Sequence, residues 1–117
     1  EKLPGEWKWG ARGARIRHKL HLEYGDRFDW PDMEAENMGD SLFCYGLRDQ
    51  IGILVDGRVI PCCLDREAAI ELGNVYDGDL REILACERAE RMREGFKCKT
   101  ATEDLCRKCG YARRFKI

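Results

Sequence analysis

Cys106 and Cys109, separated only by Arg107 and Lys108, are the residues of this 117-residue chain whose spacing speaks most directly of chemistry. A Cys-x-x-Cys turn brings two sulfurs close enough to share one metal ion or cluster, and Gly110 lets the backbone fold back behind it. A redox dithiol of the thioredoxin kind opens a helix inside a βαβ unit. Here the pair falls at a helical end close to the terminus, so half of a metal site is the better reading. A second pair lies upstream, Cys44 and Cys62 with Gly57 between them. If residues 50–56 and 58–62 form a hairpin, Cys44 sits just before the first strand and Cys62 at the end of the return strand. Their sulfurs then meet at the hairpin mouth, and two more from Cys106 and Cys109 complete four thiolates.

Four thiolates suit either zinc or an iron–sulfur cluster. Zinc ribbons build each half from a tight Cys-x₂₋₄-Cys knuckle. This chain has one such knuckle, and its other half is split across a hairpin. A cluster several ångströms wide accepts widely separated ligands more readily than one small ion does, so spacing alone favours iron–sulfur over zinc. A four-thiolate cluster is anionic, and the bases beside Cys106 and Cys109 are placed to offset that charge. Of the remaining cysteines, Cys63 is expected to point away from the site as a core thiol, and Cys86 to sit mid-helix as a small buried residue. Cys98 is the rival ligand, in place of Cys44 or as a fifth nearby thiol. His18 and His21 alternate onto opposite faces far along the chain and read as surface or half-buried residues rather than ligands.

The elements that would position these sulfurs are short. Residues 50–56 (QIGILVD) and 58–62 (RVIPC) are apolar, β-branched runs around Asp56-Gly57, a dipeptide suited to a two-residue primed turn. Pro61 has no amide hydrogen and belongs at a strand end or edge. Residues 65–72 suit a short helix capped by Asp65 and ended by Gly73. Asp79 with Glu82 opens a longer helix to about Glu94, with Ala85, Ala89, Met92 and Phe96 on its packed side. Thr100 with Glu103 opens a last helical turn carrying Leu105, Cys106 and Cys109. Upstream, Ile16, His18, Leu20, Leu22 and Tyr24 alternate with polar residues as in one half-buried strand, and residues 31–41 are acidic and turn-like. The fold class is therefore α+β: a small hairpin followed by short helices around a Cys-ligated site, preceded by an irregular arm.

Composition narrows the function classes. Lys and Arg number 21 against 22 Asp and Glu, a net charge of −1, which argues against a globally basic nucleic-acid binder. The charges are nevertheless segregated: residues 8–19 carry five bases and no acid, and residues 23–40 carry seven acids and one base. No apolar run is long enough to span a bilayer. Seven cysteines cannot pair off completely within one chain, which points to reduced thiols and a cytoplasmic setting. The chain opens without an apolar signal core or an initiator Met, so a piece of a longer protein is expected.

In order along the chain, Cys44, Gly57, the phrase Gly57-Arg58-Val59-Ile60-Pro61-Cys62-Cys63-Leu64-Asp65, then Leu72-Gly73-Asn74-Val75, a helix with Leu80 and Ile83, and Cys106-x-x-Cys109 resemble a SPASM domain. These are auxiliary iron–sulfur domains at the C-terminus of many radical SAM enzymes, and the likeness covers about residues 42–112. It implies a [4Fe–4S] cluster that positions substrate or relays electrons, with S-adenosylmethionine bound only in an upstream barrel of the same polypeptide and a peptide as a candidate substrate. It also implies that residues 1–43 are an arm or linker from that barrel and residues 44–117 the cluster domain. The Cys-x₃-Cys-x₂-Cys motif that binds the radical-generating cluster is absent, so the chain is not expected to be catalytic alone. Fuller relatives carry further cysteines after the Cys-x-x-Cys, enough for two clusters; none follow Cys109 here. One cluster held by Cys44, Cys62, Cys106 and Cys109 is the resulting expectation. An isolated fragment could instead hold zinc or nothing at that site. The alternative is a structural four-cysteine zinc module for protein or nucleic-acid contact through Arg113-Arg114-Phe115-Lys116.

Overall fold

The computed structural model describes residues 6–115, including every cysteine. Lys116, part of the basic tail, lies outside the described residues. The described elements form two small antiparallel sheets and a set of short helices. Strands β1 (Lys8–Gly10), β2 (Gly13–Arg17) and β3 (Leu20–Glu23) make the first sheet in that order. Strands β4 (Gly52–Ile53), β5 (Arg58–Ile60) and β6 (Gly73–Asn74) make the second. Helices α1 (Leu80–Leu84), α2 (Glu87–Lys97) and α3 (Asp104–Arg107) follow, then a 3₁₀ turn at Ala112–Arg114. Mixed α+β is the observed class.

The core belongs to the second sheet and the helices. Val59 of β5 packs with Leu64, Ile70, Ile83, Ala89, Met92, Phe96 and Leu105 in one buried cluster. The first sheet contributes nothing to it, and its Trp9, Leu20 and Leu22 are exposed, as is Tyr24 just after it. The radius of gyration is accordingly 17.5 Å, against about 13 Å for a compact chain of this length.

Several local expectations are corrected. The single strand through residues 16–24 is a hairpin, because Lys19 turns the chain at a φ of 62° between β2 and β3. The second hairpin is present, with Gly52 opposite Ile60 and Ile53 opposite Val59. Its turn, however, is a three-residue loop closed by the Leu54 N–H donating to the Arg58 carbonyl at 2.9 Å. Only Gly57 in that loop has positive φ, at 89°, whereas a primed turn of type I′ needs two such residues. Pro61 follows β5 directly, as its missing amide hydrogen requires. The return through β6 extends the hairpin to three strands, with Val59 opposite Gly73.

Residues 65–72 form turns instead of a helix. The Asp65 carboxylate accepts from the Ala69 and Ile70 amides, both at 2.8 Å, reaching one to two residues further than an N-cap does. Ala68 adopts a φ of 53° to allow it, and the buried Ile70 is turned into the core. The long helix from Asp79 is two helices. Asp79 does cap α1, accepting from the Arg81 amide at 2.7 Å. The helix then breaks at Ala85 and Cys86, so Cys86 is the extended N-cap of α2 rather than a mid-helix residue. In an unbroken helix Ile83 and Ala89 would project about 120° apart. The break rephases the chain so that Ile83, Ala89, Met92 and Phe96 all reach one core. Glu103, not Thr100, stands at the N-cap position of α3.

The expected irregular arm is thus partly a sheet, over residues 8–23, and only the stretch between that sheet and Cys44 is irregular, though closely seated. Leu42 is in the core, Ser41 bridges Thr100, and the Ala101 amide donates to the Asp40 carbonyl at 2.7 Å. Among the described residues no helix is long and apolar enough to cross a membrane.

Candidate iron–sulfur site

Three pieces of chain deliver four thiols to one pocket. Cys44 arrives on the approach to β4, where the chain turns tightly: the Arg48 and Asp49 amides both donate to the Tyr45 carbonyl, and Leu47 takes a φ of 62°. The Leu47 amide reaches both the Gln50 and Pro61 carbonyls, which ties this turn to the exit of β5. Cys62 follows Pro61 at that exit. Gly46 lies between them: a Cβ there would stand 3.6 Å from Cys44 Sγ and 3.9 Å from Cys62 Cβ. The mouth of the hairpin therefore brings Cys44 and Cys62 together, as the spacing predicts. Cys106 comes from α3, and Cys109 lies two residues beyond its end.

Cys44, Cys62, Cys106 and Cys109 line the same pocket, with Leu64 and Ile70 among its apolar walls. The sulfurs of Cys44, Cys62 and Cys106 share a setting that resists ionisation. Burial raises the Cys44 thiol above its ordinary range, and burial pushes Cys62 from 9.0 up to about 11. Cys106 is raised further, first by burial and then by the neighbouring Cys44, Cys62 and Cys109 sulfurs. Four thiolates crowded in an apolar cavity repel one another and lose hydration, so they need positive charge supplied among them. Backbone amides favour the thiolates in part: the Gly46 amide donates to Cys44 Sγ at 3.3 Å, and those of Leu64 and Asp65 point to Cys62.

The bases beside the Cys-x-x-Cys do not supply that charge as directly as their positions suggest. Arg107 is paired with Asp40 and with Asp104 at 2.6 Å, and Lys108 Nζ donates to the Met33 carbonyl at 2.6 Å. Both cations thus hold neighbouring chain in place. Among the described residues no three His, Cys, Asp or Glu side chains converge tightly enough to hold a single metal ion. The donor set nevertheless fits a cluster in its chemistry: four soft thiols around one apolar space.

The other candidates separate from this group. Cys63, expected in the core, is exposed, with Sγ 3.6 Å from Gln50 Oε1. The physical reason is local: Cys62 takes the pocket side of the chain, and its neighbour points to solvent. Cys98 is exposed at the end of α2 and takes no part in the pocket, and Cys86 is half-buried against the core. His18, in the turn between β2 and β3, and His21, on β3, are both exposed. Pro31, Leu42, Gln50 and Tyr111 also line the pocket. Sequence reading missed them, because lining residues carry no spacing signal of their own.

No curated protein and no solved structure matches the chain. The model of one family does: SPASM, an iron–sulfur cluster-binding domain, matches residues 44–110, a span that starts at the first pocket thiol and ends just past the last. By that match, which covers more than half of its length, the chain belongs to the SPASM family of iron–sulfur cluster-binding domains.

Proposed function

We propose that this chain is an auxiliary [4Fe–4S] domain of a radical SAM enzyme, with Cys44, Cys62, Cys106 and Cys109 as the four ligands. The observation that carries the reading is that these four thiols share one pocket within the family-matched region, while Cys63 and Cys98 face solvent. Only one tight Cys-x-x-Cys knuckle is present, the other two thiols being split across a hairpin, and this spacing weighs towards a multi-iron centre over one zinc ion. When bound, such a cluster supplies a one-electron couple and a fixed anionic surface.

The protein's own residues have separate tasks. The hairpin fixes Cys44 and Cys62, and α3 with its following turn fixes Cys106 and Cys109. Leu64 and Ile70 keep water from the sulfurs. Residues 1–43 serve as the arm leading from an upstream barrel of the same polypeptide, and residues 44–117 as the cluster domain. The barrel binds S-adenosylmethionine and generates the radical, and the domain positions a peptide substrate or relays electrons without being catalytic alone. Its working compartment is the cytoplasm, where seven free thiols persist.

Elemental analysis with optical spectra on anaerobically prepared protein tests this reading. The expected result is brown protein holding about four iron and about four sulfide per chain. Colourless protein with one tightly held zinc ion overturns it.

A further inference from the structure

The family match begins at Cys44, but the wall of the pocket begins earlier. Pro31 and Leu42 line it from the upstream side, and Tyr111 and Ala112 from beyond the match. The upstream segment is fastened to the Cys-x-x-Cys turn along its whole course. At one end the Gly110 amide donates to the Asp29 carbonyl at 3.1 Å. A Cβ on Gly110 would lie 2.7 Å from that carbonyl oxygen and 2.9 Å from the Asp29 nitrogen, so the two backbones touch as only glycine permits. Beside this contact Phe28 meets the Tyr111 ring edge-on at 4.8 Å, and the Arg114 guanidinium covers both rings at 5.5 and 4.8 Å. Further along, Lys108 Nζ holds the Met33 carbonyl, the Met38 amide donates to the Arg107 carbonyl at 2.8 Å, and Arg113 donates to the Gly39 and Ser41 carbonyls.

We infer that residues 28–42 are a strap forming the outer wall of the thiol pocket, and that Gly110 and Phe28 are the positioning residues that govern how readily small reagents reach Cys106 and Cys109. For its bearing on a cluster this rests on the ligand set proposed above. The wall itself does not, because it is a contact between protein segments. Basic side chains that sequence spacing assigns to cluster charge act here as fasteners. Opening the strap exposes the two sulfurs of the terminal turn first, since its bonds are to Arg107, Lys108 and Gly110 beside them, whereas the hairpin mouth is tied separately by the Leu47 amide.

The test uses the full chain without metal and measures native-state alkylation by iodoacetamide, resolved by mass spectrometry at each cysteine. Exposed Cys63 and Cys98 serve as internal references. In the parent protein Cys106 and Cys109 should react much more slowly than these two. Phe28→Ala and Gly110→Ala should each accelerate Cys106 and Cys109 by about tenfold, as a local opening does, with Cys63 and Cys98 unchanged. Trp9→Ala, on the first sheet, should change nothing. If Gly110→Ala unfolds the chain, Cys44, Cys62 and Cys86 accelerate along with Cys106 and Cys109, and Phe28→Ala alone decides. Unchanged Cys106 and Cys109 rates in a folded Phe28→Ala protein overturn the strap, as do parent rates equal to those of Cys63. A protein that binds zinc or no iron yet keeps the predicted alkylation pattern retains the strap and loses the ligand assignment, so the two failures are distinguishable. On reconstituted protein, the same variants should release iron to a chelator faster.

Discussion

At the scale of single residues, the ligand set makes the sharpest claim. Cys106 lies in the shared pocket and Cys86 stands at the N-cap position of α2 outside it. Cys106→Ala should lower bound iron and the melting temperature together, because cluster ligation contributes folding energy. Cys86→Ala should leave the iron content intact; equal iron loss in both variants would mean that the ligands are misassigned. Asp65 is a purely structural counterpart. It is 2% exposed, and its two carboxylate oxygens satisfy two backbone amides of the 65–72 loop. Asp65→Ala leaves those amides without a partner and should cost about 2 kcal/mol in chemical denaturation. The loop carries Ile70, a wall of the pocket, so iron retention should weaken with it.

At the scale of elements, one arginine adds polar ties to the apolar packing that holds α2. Arg88 grips the Glu103 carboxylate with two hydrogen bonds, at 2.7 and 2.8 Å, and also donates to the Ala69 and Glu71 carbonyls. Glu103 stands at the N-terminus of α3, so this one side chain links α2, the 65–72 loop and the helix that delivers Cys106. Arg88→Ala should therefore lower stability by about 1–2 kcal/mol, measured by urea unfolding, through the lost bidentate pair and the stranded carboxylate. The elements were unequally legible in the sequence. The hairpin of β4 and β5 was readable because β-branched runs flank a glycine that must take positive φ. The pairing of Cys44 with Cys62 followed from it. The break at Cys86 was not readable, since Ala85 and Cys86 are compatible with a continuing helix and only the shared core demands a change of phase. Nor was the 65–72 loop, where helix-favouring residues yield to the bonds made by a buried carboxylate. The strand misread at residues 16–24 alternates correctly within each half, but Lys19 carries no turn signature.

At the scale of the whole molecule, thiol ionisation links the pocket to stability. Cys44, Cys62 and Cys106 hold their protons more tightly when folded than when exposed. Above the ordinary thiol value of 9.0 the unfolded chain therefore ionises first, and protons are lost preferentially from that state. The stabilising contribution of Cys62 is full below that value and disappears as pH rises through about 11. Urea midpoints of metal-free protein should fall across this interval, and thiolates already bound to iron should remove the thiol part of the slope. The first sheet stands outside the core, with only Ala14 among its buried apolar side chains. Removing residues 6–25 should leave iron binding unchanged within error in the reconstitution assay, whereas a cut at residue 43 should not.

The distance along the chain between the two halves of the pocket has a consequence for biogenesis. Cys62 is made 44 residues before Cys106. At ordinary rates of synthesis the nascent polypeptide carries a half-formed pair of thiols for about 2–9 s before the second pair exists. Any metal captured in that interval would have to be surrendered, so delivery of the mature inorganic centre belongs after translation of the terminal turn.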